Sequence, residues 1–122
     1  MPWILDDTRP IYLQLEDQIK TRIIAGVYRP GEKLPSVREL AAEAAVNPNT
    51  MQKALTELER SGLVYAQRTS GRFITEGTQI MKNLKEQLAK EQIEQFLSTM
   101  EQLGFRKEEI LSLLTREIKE EA

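Results

Sequence analysis

The sequence predicts a mainly α-helical (α+β) fold, with one short β-hairpin between three N-terminal and two C-terminal helices. Two observations lead to this prediction. Apolar residues recur at three- and four-residue spacing in five separate stretches, which is the pattern of amphipathic helices. Between the third and fourth stretches, the segments 63–67 and 72–75 are short β-favouring runs, and a polar turn containing glycine joins them.

The composition excludes several classes of protein. The 122 residues include no cysteine and no histidine, so the chain lacks disulfides, thiolate nucleophiles, the commonest general base and the commonest metal ligand. We therefore expect no catalytic residue, no metal and no cofactor. No apolar run approaches the roughly 20 residues that span a bilayer, and no signal-peptide pattern opens the chain. These features predict a cytoplasmic protein without a membrane partner.

Charge is distributed unevenly along the chain. The net charge is −2, yet residues 20–75 contain nine cations and five anions, a net of +4, which leaves −6 for the remaining segments. Such asymmetry suits one domain that meets phosphates and a tail that does not. The shift in composition after Gly77 predicts two parts, a domain at residues 1–77 and a helical tail at residues 78–122.

The first predicted helix runs over residues 10–25. Pro10 can open it, because proline is tolerated at the first helical position, and Gly26 followed by the segment 29–31 ends it. Its buried stripe consists of Tyr12, Leu15, Ile19 and Ile23. We expect Trp3 to pack against this helix, and the segment 33–35 to form no more than a bridge or an edge strand.

Two further helices follow with clear start signals. Ser36 and Glu39 match a capping box, and Asn47 precedes a first-turn proline at position 48. These helices, of about nine and fourteen residues, are separated by a tight turn and form a predicted helix-turn-helix. Ala45 stands where many such motifs have glycine, so a left-handed conformation there would cost about 1 kcal/mol. The β-hairpin that comes next is then a wing. The expected core of this domain is Leu15, Ile19, Ile23, Leu40, Leu55, Leu58, Val64 and Phe73.

The tail is predicted to contain two helices. The first has about 24 residues and ends at Gly104, and the second extends to about Ile118. Its apolar stripe could line a ligand-sensing site, but 45 residues are too few to enclose an effector cavity. We expect a dimer seam instead, and whether a small-molecule effector exists stays open. The candidate dimerisation residues are Leu84, Leu88, Ile93, Phe96, Leu97, Met100, Ile110 and Leu114.

Linked motifs over residues 10–76 resemble the GntR family of bacterial transcription regulators. They read Pro10-Ile11-Tyr12-x-Gln14, Pro30-Gly31-x-x-Leu34-Pro35-Ser36-x-Arg38-Glu39-Leu40-Ala41, Val46-Asn47-Pro48-Asn49-Thr50 and Ala54-Leu55-x-x-Leu58-Glu59-x-x-Gly62-Leu63-Val64. The start of the third helix and the short tail look like the YtrA subfamily. This resemblance implies a dimer that represses its own operon, often one with an ABC transporter. The chain departs from the family pattern at Thr69, where the wing usually has glycine.

The resemblance and the chemistry of the side chains together give a set of expected contacts with double-stranded DNA. Arginine suits guanine edges and phosphates, asparagine and glutamine pair with adenine, and helix N-termini attract phosphates. Wing arginines suit the narrow minor groove. Arg9 and Lys33 are expected to contact the DNA backbone at most. The candidate DNA-binding residues are Lys33, Ser36, Arg38, Asn47, Asn49, Thr50, Gln52, Lys53, Arg68, Ser70, Gly71 and Arg72.

Two functions other than DNA binding fit this pattern less well. A winged helix can serve as a protein-interaction module, but the start of the third helix offers no aromatic or leucine anchor. An enzyme is disfavoured because the candidate carboxylate pairs, at positions 6–7 and 108–109, adjoin in sequence and do not face a shared cleft. The sequence therefore predicts a homodimeric transcription repressor that binds a palindromic operator, possibly that of its own transporter operon.

Overall fold

A computed structural model describes residues 1–121. Its elements are α1 (Ile11–Ile24), α2 (Val37–Ala44), α3 (Pro48–Arg60), β1 (Val64–Gln67), β2 (Gly71–Ile74), α4 (Thr78–Gln102) and α5 (Lys107–Glu121). The five helices and the hairpin that the sequence predicts are confirmed. The chain packs as two compact units, an N-terminal unit (Met1–Lys85) and a C-terminal unit that begins at Glu86.

The core of the N-terminal unit lies where α3 packs on α1 and α2. Leu15, Ile19, Leu40 and Leu58 are fully buried there, and Leu55 is 1% exposed. Each lies on the apolar stripe of its helix, so the spacing of apolar residues fixes which faces meet. The same packing leaves the polar face of α3 in solvent, and α3 carries four of the twelve candidate DNA-binding residues, Asn49, Thr50, Gln52 and Lys53.

Side-chain caps fix where α2 and α3 begin. Ser36 and Glu39 form the predicted capping box, in which each side chain accepts a hydrogen bond from the backbone N–H of the other. Ala45 ends α2 in the left-handed region, with φ of 56°, as its position in the motif indicated. Asn47 caps α3. These local signals fix where the two helices begin and how sharply the chain turns between them.

The wing is an antiparallel hairpin in which Val64 pairs with Ile74 and Gln67 with Gly71. Lys33 forms an isolated bridge with Phe73, which confirms the bridge expected for the segment 33–35. The expectation that Phe73 belongs to the core is wrong, because Phe73 is only half-buried and its ring stacks on Tyr65, with centroids 5.8 Å apart. Neighbours in a strand point to opposite faces, and the fully buried residue is Ile74.

The first nine residues lie along α1 and are held by polar side chains. Gln14, 5% exposed, donates to the carbonyls of Asp6 and Arg9 and accepts from the Asp6 N–H. Gln18 makes a reciprocal pair of bonds with the backbone of Ile4. Trp3 packs on α1 as predicted, and the buried Arg22 guanidinium lies 3.6 Å from its ring centroid. This terminal segment therefore belongs to the N-terminal unit.

Two ionisable groups of the N-terminal unit have shifted pKa values. Hydrogen bonds from the Thr8 side chain and backbone lower the pKa of the Asp6 carboxyl. Burial raises the pKa of the Tyr28 hydroxyl, and Glu43 adds to that shift while Arg22 opposes it. Both shifts have local structural causes outside the polar face of α3.

The C-terminal unit contains the larger part of α4 and all of the described part of α5. Of its described hydrophobic residues only Ile110 is buried, at 2% exposure. Several large apolar side chains there are exposed: Ile93, Phe96, Leu103, Leu111, Leu114 and Ile118. None of the helices in residues 1–121 is long and apolar enough to cross a membrane.

Candidate nucleic-acid interface

The start of α3 presents a group of polar side chains to solvent. Asn49, Gln52 and Lys53 are exposed and Thr50 is half-buried, while Met51 on the opposite face is fully buried. Asn47 is exposed as well, and its carboxamide oxygen accepts the Asn49 N–H at 2.7 Å. Asparagine and glutamine suit adenine edges, and the positive end of the helix dipole suits phosphate. The arrangement resembles that of recognition helices, whose N-terminal residues contact base edges.

Lys53 has a neighbour that sequence reasoning missed. Its ammonium lies 3.9 Å from the centroid of the Tyr12 ring, on α1. A cation over an aromatic face is attracted by the ring quadrupole. Tyr12 therefore restricts where the Lys53 charge lies, and only the α1–α3 packing could have revealed this pair.

A groove of about 470 Å³ runs between the start of α2 and the wing. It brings together six of the candidate residues: Lys33, Ser36, Arg38, Ser70, Gly71 and Arg72. The described residues that line it include three cations and no carboxylate. Arg38 is exposed on the first turn of α2, where a guanidinium can meet a phosphate or a guanine edge. Arg68 and the candidates at the start of α3 do not line this groove.

The tip of the wing is the turn at residues 68–70, all of which are exposed. Ser70 N–H closes the turn on the Gln67 carbonyl at 3.2 Å. Gly71 follows with φ of +105°, a conformation that side chains with a Cβ rarely adopt, so the position favours glycine. Thr69 stands where the family usually has glycine, yet its φ is not positive. Among the non-glycine residues in 1–121, Ala45 alone has a positive φ.

Arg72 is placed differently from the wing-tip position that the sequence suggested. It lies within β2, and its Nε donates to Oε1 of Glu59 near the end of α3. Sequence reasoning missed Glu59, because the two residues are 13 positions apart and only the return of the hairpin over α3 brings them together. Arg68 has no ion pair among the bridges that the structure describes for residues 1–121.

The carboxylates weighed for catalysis have local structural partners. Asp6 accepts hydrogen bonds from Thr8, and Glu109 accepts the backbone N–H of Arg106 at the start of α5. Within residues 1–121 no cluster of three or more acidic, histidine or cysteine side chains could hold a metal ion.

Known proteins share this architecture. Residues 11–74 match the family described as "Bacterial regulatory proteins, gntR family". The HTH-type transcriptional regulator YhcF of Bacillus subtilis is 47% identical over 104 residues, which are 85% of this chain and 86% of that protein. The HTH-type transcriptional repressor YtrA of Bacillus subtilis is 39% identical over 102 residues, 83% of this chain and 78% of that protein.

Solved structures agree. A GntR family transcriptional regulator from Listeria monocytogenes superposes with a TM-score of 0.82 at 41% identity, covering 92% of this chain and 98% of that one. The DNA-binding domain of AraR in complex with operator ORX1 gives a TM-score of 0.55 at 27% identity, covering 59% of this chain and 93% of that one. DNA-binding domains of this family thus bind operator DNA.

These findings define the class of protein. The chain belongs to the GntR family of bacterial transcription regulators, so it is a DNA-binding transcription regulator with a winged helix-turn-helix and not an enzyme. Within the family it is YtrA-like, as its similarity to YtrA over most of both chains shows.

Proposed function

We propose that this regulator is a homodimeric repressor that binds a palindromic operator in the cytoplasm. The first target to test is the promoter of its own operon, with transporter genes as the expected neighbours. The relative YtrA is described as a repressor, which supports the direction of control. Residues 1–77 would bind DNA and residues 78–122 would dimerise.

The polar start of α3 is the observation that carries operator binding. Asn49 and Gln52 are exposed, and the buried Met51 and Leu55 fix the rotation of the helix between them. Because the inner face is held by the core, the outer face is presented in one orientation, which base-edge recognition requires. Carboxamides held in this way can pair bidentately with an adenine edge, which supports reading of bases as well as contact with phosphates.

The exposed apolar residues of the tail support the dimer. Of the eight candidate dimerisation residues, Leu84 and Ile110 are buried within the chain, at 5% and 2% exposure, so they are occupied without a partner. The six that remain for a seam are Leu88, Ile93, Phe96, Leu97, Met100 and Leu114. A second copy about a two-fold axis would cover them and would present two recognition helices to a palindrome.

Arg38→Ala tests operator binding directly. We expect the affinity for the upstream DNA to fall by about 1–3 kcal/mol, because the change removes a guanidinium that the structure leaves free to meet DNA. The thermal midpoint should hardly change, since Arg38 is exposed and the capping box beside it stays intact. The measurement is a fluorescence titration of labelled DNA at fixed salt.

The matched control is Arg116→Ala, which removes the same charge from the exposed surface of α5. This variant should bind like the unmodified protein. Equal affinities of both variants and the unmodified protein would overturn the role of Arg38. Equal binding of upstream and scrambled DNA by the unmodified protein would overturn the proposal that an operator lies there.

A further inference from the structure

The ion pair between Arg72 and Glu59 joins the wing to the recognition helix. Arg72 lies in β2 and Glu59 is the second-last residue of α3. Their side chains are only 19% and 31% exposed, so water screens this pair less than a fully exposed one. Among the side-chain hydrogen bonds and ion pairs described for residues 1–121, it is the one that connects the hairpin to a helix.

The backbone of Arg72 is held as well. Its carbonyl accepts the N–H of Leu34 at 2.8 Å, and Leu34 is buried at 2% exposure. In the hairpin Arg72 pairs with Ala66, and Phe73, the residue after Arg72, forms the bridge to Lys33. Arg72 is therefore fixed through its carbonyl on one side and through its guanidinium on the other.

This geometry separates the two wing arginines. The charge of Arg72 is matched by Glu59, so the pair as a whole offers a phosphate no net charge. Arg68 lies at the exposed tip, and the described ion pairs do not include it. An arginine with no carboxylate beside it is the better candidate for the negative potential of a minor groove.

We propose that Glu59 and Arg72 are a positioning pair that sets the angle of the wing against the recognition helix, and that the wing contacts DNA through Arg68 and Ser70. This proposal rests on the proposed operator binding. Arg72 acts through the hairpin that carries the tip and does not read DNA itself. The pair makes the wing and α3 one rigid reading surface.

Glu59→Gln and Glu59→Ala test the pair with matched charge. Each variant removes one negative charge, so any general gain in attraction to DNA is the same in both. Only glutamine keeps an oxygen that can accept the Arg72 Nε–H. We expect Glu59→Ala to bind the operator about 3- to 10-fold more weakly than Glu59→Gln, in line with the loss of a partly exposed charged hydrogen bond.

A double-mutant cycle gives the second readout. Arg72→Ala should lose about as much affinity as Glu59→Ala, and the combined variant should lose no more than either one, because both changes break one interaction. Arg68→Ala should lower the salt slope of binding by about 1, whereas Arg72→Ala should leave it unchanged. An Arg72→Ala loss that persists in the Glu59→Ala background, with a lower slope, would show that Arg72 contacts DNA and would overturn the proposal.

Hydrogen exchange of the free protein separates this proposal from the function on which it rests. Amides of residues 64–74 should exchange faster in Glu59→Ala than in Glu59→Gln, and amides of α5 should exchange equally. Equal exchange over residues 64–74 would overturn the positioning role, whatever the DNA data show. If the wing amides exchange faster in Glu59→Ala while the unmodified protein binds no upstream DNA, the positioning role of the pair is supported and the proposed operator binding is not.

Discussion

The two units of this regulator differ in how they cover apolar surface. Of the seventeen buried hydrophobic residues among residues 1–121, sixteen lie in the N-terminal unit and one, Ile110, lies in the C-terminal unit. The N-terminal unit has a core of its own, whereas the C-terminal unit leaves residues such as Ile93 and Leu111 more than half exposed. Since burial of apolar surface is the main stabilising term in folding, we expect the first unit to fold alone and the second to gain from a partner.

Polar contacts differ in the same way. In the N-terminal unit they join distant parts of the chain, as Gln18 does with Ile4 and Arg72 does with Glu59. In the C-terminal unit the described side-chain bonds span three or four residues, as in Gln87–Glu91 and Lys90–Glu94. Bonds at that spacing support a helix but do not fix its place in a tertiary structure.

Removal of the tail should have the largest effect. A chain cut after Lys85 keeps Leu84 and the whole N-terminal unit, so it should fold cooperatively as a monomer. Its operator affinity should fall by about 10²–10⁴-fold, because it loses the effective concentration that a second half-site supplies. Light scattering and a DNA titration on both forms measure this. A fragment that is still dimeric, or that binds the operator as tightly as the full chain, would contradict the assignment of dimerisation to the C-terminal unit.

Leu55→Ala and Ile93→Ala compare one apolar side chain in each unit. Leu55 is 1% exposed and Ile93 is 57% exposed in the single chain. Leu55→Ala should lower the free energy of unfolding by about 2–5 kcal/mol at any protein concentration, since it leaves a cavity. Ile93→Ala should weaken the dimer, so its unfolding midpoint should rise less steeply with concentration than that of the unmodified protein. Thermal melts at two protein concentrations distinguish these outcomes. If Ile93→Ala lowered the unfolding midpoint by the same amount at both concentrations, this would contradict the placement of Ile93 in a dimer seam.

Glu39→Ala should have the smallest effect of the three. It removes the acceptor of the Ser36 N–H, which should cost about 0.5–2 kcal/mol of stability by analogy with cap deletions. The matched control is Glu109→Ala, which removes the acceptor of the Arg106 N–H in the C-terminal unit. We expect the control to reduce helicity without shifting the denaturation midpoint of the N-terminal unit. A large loss of DNA affinity in Glu39→Ala at full folding would contradict its purely capping role.

Features encoded within a few residues were predictable from the sequence. The capping box at Ser36 and the cap at Asn47 follow from local signals, and the structure confirms both. The apolar stripes gave the helical core for the same reason, since 3.6-residue periodicity marks the buried face. These caps and apolar stripes were also sufficient to predict where the recognition helix and the wing lie in the sequence.

Features that depend on tertiary approach were not predictable. Nothing near Arg72 in the sequence indicates Glu59 as its partner, and nothing near Tyr12 indicates Lys53. The tail stripe shows the same limit, because periodicity marks an apolar face without showing what covers it. Leu84 and Ile110 belong to that stripe and are buried within the chain itself.

The contact between Trp3 and Arg22 gives the molecule an optical reporter. Trp3 is the single tryptophan of the chain, and its ring lies 3.6 Å from a guanidinium that also donates to the Met1 carbonyl. Tryptophan emission, excited at a wavelength that tyrosine does not absorb, therefore arises from the terminal segment on α1 alone. A change in that emission reports release of this segment or unfolding of the N-terminal unit.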